Sequence, residues 1–183
     1  MAARGIFYTA TTLDGFIADD HDSLDWLFVQ DIDQEGPGGY TPFIAGMGAM
    51  VMGSTTYLWL RDHLGQTGEA WSYDIPCWVF THRELPAIPN ADIRFVQGDV
   101  TPVHEEMRAA ADGKNIWLVG GGELVGLFAD AGLLDEIQLH VAPVTLGGGA
   151  PLLPRRITAP RLTLQRAEEE GGFAYLTYSV SRP

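Results

Sequence analysis

Asn115-Ile-Trp-Leu-Val-Gly-Gly-Gly-Glu123 decides the fold. Asn115 to Val119 is an apolar strand, Gly120 to Gly122 a tight turn, and the run from Glu123 to Ala131 reads as a helix. Strand, glycine and helix in that order form the unit of a parallel sheet, because a parallel strand must be reached by a crossover. The same order recurs upstream. Ala49-Met-Val-Met52 is a short apolar strand, and Gly53-Ser54 then opens a helix through Thr56, Tyr57, Leu60 and Leu64. Pro76-Cys-Trp-Val-Phe-Thr81 and Ile93-Arg-Phe-Val96 are further strands. The second precedes Thr101-Pro102, which suits the N-cap and first position of a helix running to Ala111.

Further out, Gly5-Ile-Phe-Tyr-Thr-Ala-Thr-Thr-Leu13 is rich in β-branched and aromatic residues and stops at the turn pair Asp14-Gly15, with Phe16-Ile17-Ala18 continuing it. Ser23 is placed to cap a short helix through Leu24, Trp26, Leu27 and Phe28. Asp31 to Gly39 is an acidic, glycine-rich loop, and Phe43 to Met47 reads as helical. Four strand-to-helix alternations argue for a mostly parallel sheet with helices on both faces. After Leu134 the rhythm changes. Glu136 to Val144 is a long strand, and Leu162 to Ala167 and Phe173 to Val180 are two more, joined by Gly171-Gly172 as a hairpin. This last third is expected to add antiparallel strands. No linker composition and no internal repeat divides the chain, so residues 1–183 are read as one α/β domain.

Composition narrows the function. Of 183 residues, 46% are hydrophobic and 19% charged, a packed chain rather than a disordered one. Eleven basic against 24 acidic groups leave −13, with Lys114 the only lysine, which argues against nucleic acid and anionic membrane surfaces as partners. The single cysteine, Cys77, excludes an internal disulfide and lies in an apolar stretch. Met1 to Arg4 precede no long apolar run, and no stretch reaches the ~18 apolar residues of a membrane span, so the expected location is the cytoplasm.

Several motifs fail on inspection. A dinucleotide fingerprint would need glycine at position 125, which is Val125, and Lys114 lacks the glycine and the following hydroxyl of a phosphate loop. Asp31, Asp33, Glu35 and Gly36 imitate half a calcium loop, but its twelfth position is Pro42. Histidines 21, 63, 82, 104 and 140 have no metal-ligand spacing, and no metal is expected. Two glycine-hinged turns remain, at Gly53-Ser-Thr-Thr56 and Gly120 to Gly122, both at carboxyl ends of parallel strands, where open α/β sheets bind ligands. Thr81-His82-Arg83 ends a third strand and adds a cation. Each turn alone could be an ordinary cap; together they suggest an elongated phosphorylated cofactor.

With these pieces in order, the chain resembles the dihydrofolate reductase superfamily, and most closely its branch similar to the reductase domain of bacterial riboflavin biosynthesis. The matching stretches are Thr12-Leu-Asp-Gly-Phe-Ile-Ala18, Leu24-Asp-Trp-Leu27, Val51-Met-Gly-Ser-Thr-Thr-Tyr57, Val79-Phe-Thr-His-Arg83, Ile116-Trp-Leu-Val-Gly-Gly-Gly-Glu123 and Pro143-Val-Thr-Leu-Gly-Gly-Gly149 with Leu152-Leu153. The resemblance implies a three-layer αβα fold of the dihydrofolate reductase kind, with a mixed, mostly parallel sheet and an antiparallel C-terminal hairpin.

It also implies NADPH as cofactor. Gly53, Ser54, Thr55 and Thr56 would meet phosphates, Thr81, His82 and Arg83 the adenosine side with its 2′-phosphate, and Gly120, Gly121, Gly122, Glu123 and Leu124 the diphosphate. Ala10, Ile17 and Ala18 would line the nicotinamide end, and the Gly120-Gly121 bond would be cis. Asp31, five positions after Trp26, and His140 are the candidate catalytic proton donors. The chain departs from the family where Asp25 replaces a proline, Val125 a tyrosine, and no arginine follows the helix after Gly53 to hold a folate carboxylate.

The implied activity is an NADPH-dependent oxidoreductase that transfers a hydride to a small pteridine, pyrimidine or related imine or carbonyl compound. The alternatives are the 5-amino-6-(5-phosphoribosylamino)uracil reductase of riboflavin biosynthesis and a non-catalytic nucleotide-binding module. The resemblance favours a homodimer.

Overall fold

The computed structural model describes residues 3–36 and 38–182. Met1, Ala2, Pro37 and Pro183 lie outside the described residues, and with them the first two positions of the N-terminal reading and one position of the calcium-loop comparison. Among the described residues ten strands and five helices follow in order: β1 (Gly5–Thr12), β2 (Phe16–Ala18), α1 (Asp25–Phe28), α2 (Tyr40–Ala45), β3 (Met47–Gly53), α3 (Ser54–Thr67), β4 (Cys77–Phe80), β5 (Ile93–Val96), α4 (Val100–Ala110), β6 (Asn115–Gly120), α5 (Gly122–Asp130), β7 (Glu136–Ala142), β8 (Ala150–Pro151), β9 (Leu162–Glu170) and β10 (Phe173–Val180).

Eight strands form one sheet in the order β5-β4-β3-β6-β1-β7-β10-β9. From β5 to β7 every neighbouring pair is parallel, and β10 runs antiparallel to both β7 and β9. This is the three-layer, mixed and mostly parallel sheet expected from the sequence, with its antiparallel C-terminal hairpin. Two expectations are corrected. The long strand after Leu134 is not antiparallel: β7 pairs in parallel with β1, from Ile6 opposite Glu136 to Thr12 opposite Ala142, because α5 supplies the crossover between β6 and β7. β2 does not extend β1 but turns out of the main sheet to pair with β8.

Alternation along the strands sorts the core into two layers. On β3, Ala49 and Val51 face one cluster, while Met50 and Met52 face the other; Trp78 and Val79 divide in the same way on β4, and Ile116 and Trp117 on β6. The first cluster is closed by α4 and α5, through Val103, Met107, Val125 and Phe128. The second is closed by α2 and α3, through Phe43 and Tyr57, and by the segment carrying Trp71 and Tyr73. Trp78, Tyr57, Phe7 and Phe128 are fully buried, each contributing on the order of 1.5–3 kcal/mol of apolar transfer.

Helix boundaries moved where local signals competed. α4 starts at Val100, its N-cap being Asp99, whose carboxylate accepts from the Thr101 N–H at 2.6 Å. Thr101 is therefore not the cap but a first-turn residue, whose own N–H is the donor that the aspartate two residues earlier satisfies. α1 begins after Leu24, with Ser23 Oγ accepting from the Asp25 N–H at 3.1 Å. α2 ends at Ala45, because Met47 already belongs to β3. No helix among the described residues is long and apolar enough to cross a membrane.

Candidate functional site

The crossovers place the ends of β1, β3, β4, β5 and β6 along one edge of the sheet, and there a cleft of about 910 Å3 opens. Its walls contain every position that the resemblance implies for a nucleotide: Ala10, Ile17, Ala18, Gly53 to Thr56, Thr81 to Arg83 and Gly120 to Leu124. The Gly120-Gly121 bond is cis, as the resemblance implies.

Three helices begin at this edge, and their first turns differ. α4 is capped by Asp99, whose carboxylate already uses one N–H and brings negative charge. α3 and α5 have glycine N-caps, Gly53 and Gly121, and among the described residues no side chain caps their first-turn donors. Orphan N–H groups and the positive end of the helix dipole together favour an anion. The two open ends are adjacent, since a Cβ added to Gly53 would lie 3.8 Å from both the Gly120 carbonyl oxygen and the Gly121 nitrogen. Gly122 is forced by packing: a Cβ there would stand 2.4 Å from the Leu152 carbonyl oxygen and 2.5 Å from that of Pro151. The β8 backbone therefore crosses directly over the start of α5.

Arg83 supplies the cation of this region. Its Nη2 donates to Ser54 Oγ at 3.1 Å, and the Thr81 hydroxyl accepts from the Arg83 N–H at 3.0 Å. Arg83 is exposed, so its guanidinium can reach a ligand without displacing core atoms. Glu123 lines the cleft, but its carboxylate is bound by Arg155 Nη1 at 2.8 Å, which keeps that negative charge occupied beside the turn. An elongated polyanion with a nucleoside at one end fits this donor set: backbone N–H groups in pairs, hydroxyls at Ser54 to Thr56, and one arginine.

The rest of the cleft is aromatic and comes from the α2–α3 side of the sheet. Trp117 is surrounded by Tyr8 at 6.4 Å, Tyr40 at 5.9 Å and Tyr73 at 6.0 Å between ring centroids. Burial pushes the phenols of Tyr40 and Tyr73 above their usual range, so both stay neutral donors. Sequence reading missed this group. Its members are scattered along the chain without a motif and meet only through β1, β6 and the second core cluster.

The two candidate proton donors separate. His140 is 5% exposed and reaches the cleft, edge-on to Tyr8, with Nε2 donating to the Gly38 carbonyl at 2.9 Å. Tyr8 Oη donates to the same carbonyl at 3.1 Å, so that both side chains pin the loop before α2. Asp31 is exposed and does not line the cleft. Its carbonyl oxygen lies 3.2 Å from where a Gly171 Cβ would be, beside the β9–β10 hairpin, and the residues of its loop that do reach the cleft are Ile32 and Gln34. Among the described residues no group of three or more His, Cys, Asp or Glu is arranged to hold a metal ion.

Residues 59–172 match the RibD C-terminal domain family. The uncharacterized protein YwjB of Bacillus subtilis (strain 168) is 31% identical over 185 residues, covering 97% of this chain and 98% of that protein. A solved structure of a putative riboflavin biosynthesis protein from Shewanella sp. PV-4 is similar at a TM-score of 0.80 and 24% identity, over 98% of this chain and 99% of that one. Dihydrofolate reductase from Enterococcus faecalis, complexed with NADP(H), is similar at a TM-score of 0.60 and 14% identity, over 98% of each chain. At these identities the two structures establish a shared fold.

Proposed function

The chain belongs to the RibD C-terminal domain family, and from that premise we propose that it is an NADPH-dependent reductase of a small pteridine, pyrimidine or related imine or carbonyl compound. The observation that carries this reading is the pair of uncapped helix starts at Gly53 and Gly121, opening on one cleft with Arg83 beside them. In this reading the first-turn N–H groups of α3 and α5 hold the diphosphate, and Ser54 to Thr56 add hydroxyl donors. Arg83 pairs with the 2′-phosphate, while Ala10, Ile17 and Ala18 pack against the nicotinamide. When bound, NADPH supplies a hydride to the acceptor.

The chain's own contribution is to orient the acceptor, exclude water and keep proton donors near it. Tyr40 and Tyr73 present neutral hydroxyls, and His140 and Tyr8 fix the loop that carries Gln34 and Tyr40. Asp31, exposed and outside the lining, is not assigned the proton. A homodimer belongs to the same proposal, with β9 as one edge of the sheet and Leu164, 52% exposed, on it.

Calorimetric titration with NADPH and NADH tests the reading, followed by oxidation at 340 nm with pterin and pyrimidine acceptors. Tighter binding of NADPH with turnover of one acceptor supports the reductase. Binding of NADPH without any oxidation would make the chain a nucleotide-binding module, and no binding of either nucleotide would remove the proposal.

A further inference from the structure

We propose that the acceptor half of this cleft takes an uncharged, flat heteroaromatic compound and rejects the same ring when it carries a phosphate ester. This rests on the nucleotide reading above, which leaves the aromatic half for the acceptor. That half is built by Tyr8, Tyr40, Tyr73, Trp117, Leu27 and Leu60. Three phenol rings lie around one indole at centroid distances of 5.9 to 6.4 Å, an arrangement that offers edges and faces to a planar ring. The polar groups among them are the neutral hydroxyls of Tyr40 and Tyr73, the Gln34 amide, and the His140 imidazole, whose Nε2 is already committed to the Gly38 carbonyl at 2.9 Å. They suit the ring nitrogens and carbonyls of a pterin or pyrimidine.

What would hold a phosphate is absent from this half among the described residues. Arg83 is the one arginine of the lining, it sits at the end of β4 bonded to Ser54, and no lysine joins it. Among the described residues no other arginine or lysine lines the cleft. Arg155 is bound by Glu123 and Asp130, Arg61 by Asp62, and Lys114 precedes β6 at the opposite end of the strands. Asp22 adds a negative charge to the lining, within a chain of net charge −13. A phosphate entering here would lose water with no cation in exchange, and would be repelled by the field of the protein. The aromatic walls thus fit the ring of the phosphoribosylamino-uracil alternative, while the charge distribution opposes its tail.

The test titrates the full chain with neopterin and with neopterin monophosphate, ligands that differ only in the phosphate, with and without saturating NADP+. Neopterin is expected to bind at least about ten-fold more tightly, and raising the salt concentration should narrow the gap by screening the repulsion. Gln34→Arg should shift the ratio of the two affinities by about ten-fold toward the phosphate, as a new charge-assisted hydrogen bond would. Equal or tighter binding of the monophosphate by the native chain would overturn the proposal, as would failure of both compounds to bind. The nucleotide reading fails by a different sign, the absence of NADP+ binding, and neopterin titrated alone still reports on the acceptor half.

Discussion

Arg83 donates from Nη2 to Ser54 Oγ across 3.1 Å, joining the end of β4 to the first residue of α3. In the proposed binding mode a 2′-phosphate can therefore meet a guanidinium and the neighbouring Ser54 hydroxyl at once. Charge-assisted hydrogen bonds of this kind contribute about 1.5–3 kcal/mol each, or roughly 10- to 150-fold in affinity. Arg83→Ala is expected to weaken NADPH by about that factor and to change NADH by no more than about three-fold, read by calorimetry. Equal losses for both nucleotides would place Arg83 away from the 2′-phosphate.

The half of the cleft that the proposal gives to the nucleotide was legible as a pair of strand-to-helix corners because its signals are local. Gly53 and Gly121 stand between an apolar strand and a helix, and such corners can be read from a few consecutive residues. Strand direction was less so: Glu136 to Ala142 spells a strand by its hydrophobicity, but only the α5 crossover makes it parallel to β1. The acceptor half was not legible. Tyr8, Tyr40, Tyr73 and Trp117 meet through tertiary packing alone, and Asp31, five positions after Trp26, lies on a loop that passes beside the distant Gly171 hairpin and not along the cleft.

Gly122 and Gly65 form a matched pair for mutation. A methyl on Gly122 would meet the Leu152 and Pro151 carbonyl oxygens at 2.4 and 2.5 Å, so β8 or the start of α5 must move. Gly65 lies inside α3 with nothing within 4 Å of an added Cβ. Thermal unfolding should show Gly122→Ala destabilised by about 1–3 kcal/mol, with weakened NADPH binding. Gly65→Ala should be stabilised by about 0.5–1 kcal/mol. A Gly122→Ala protein with unchanged Tm and nucleotide affinity would mean that β8 does not press on that corner.

Asp31 and His140 should diverge. Asp31→Asn removes an exposed charge outside the cleft, and turnover is expected to stay within about two-fold of the parent. His140→Phe keeps a ring against Tyr8 but removes the Nε2 proton donated to Gly38. It should raise KM for the acceptor by about ten-fold and leave the NADPH Kd nearly unchanged, because the loop held by Gly38 carries acceptor contacts. A large loss in Asp31→Asn would return the proton to that residue.

Cys77 is fully buried, and burial pushes its thiol up to about 12. Iodoacetamide at neutral pH should leave the native protein unlabelled and modify it fully in denaturant. Rapid labelling of the native chain would show that β4 opens.

His104 is expected to weaken the fold on mild acidification. It sits on α4 at 6% exposure, neither ring nitrogen has a hydrogen-bond partner, and its ring faces Phe128 at 6.3 Å. Burial holds its pKa below the ordinary value of 6.5, opposed by the weaker pull of Glu105 and Asp135. The unfolded chain therefore binds the proton more readily than the folded one, and stability falls as pH drops below about 6.5 toward the folded-state value. Above that pH the imidazole is neutral in both states and contributes no pH dependence. His104→Leu, which fills the site without a titrating group, should flatten the slope of Tm against pH between about 6.5 and 5 while leaving the other carboxylate-driven losses at lower pH in place. An unchanged slope in that interval would mean that the ring reaches water on protonation, and that the contact with Phe128 is not held below neutrality.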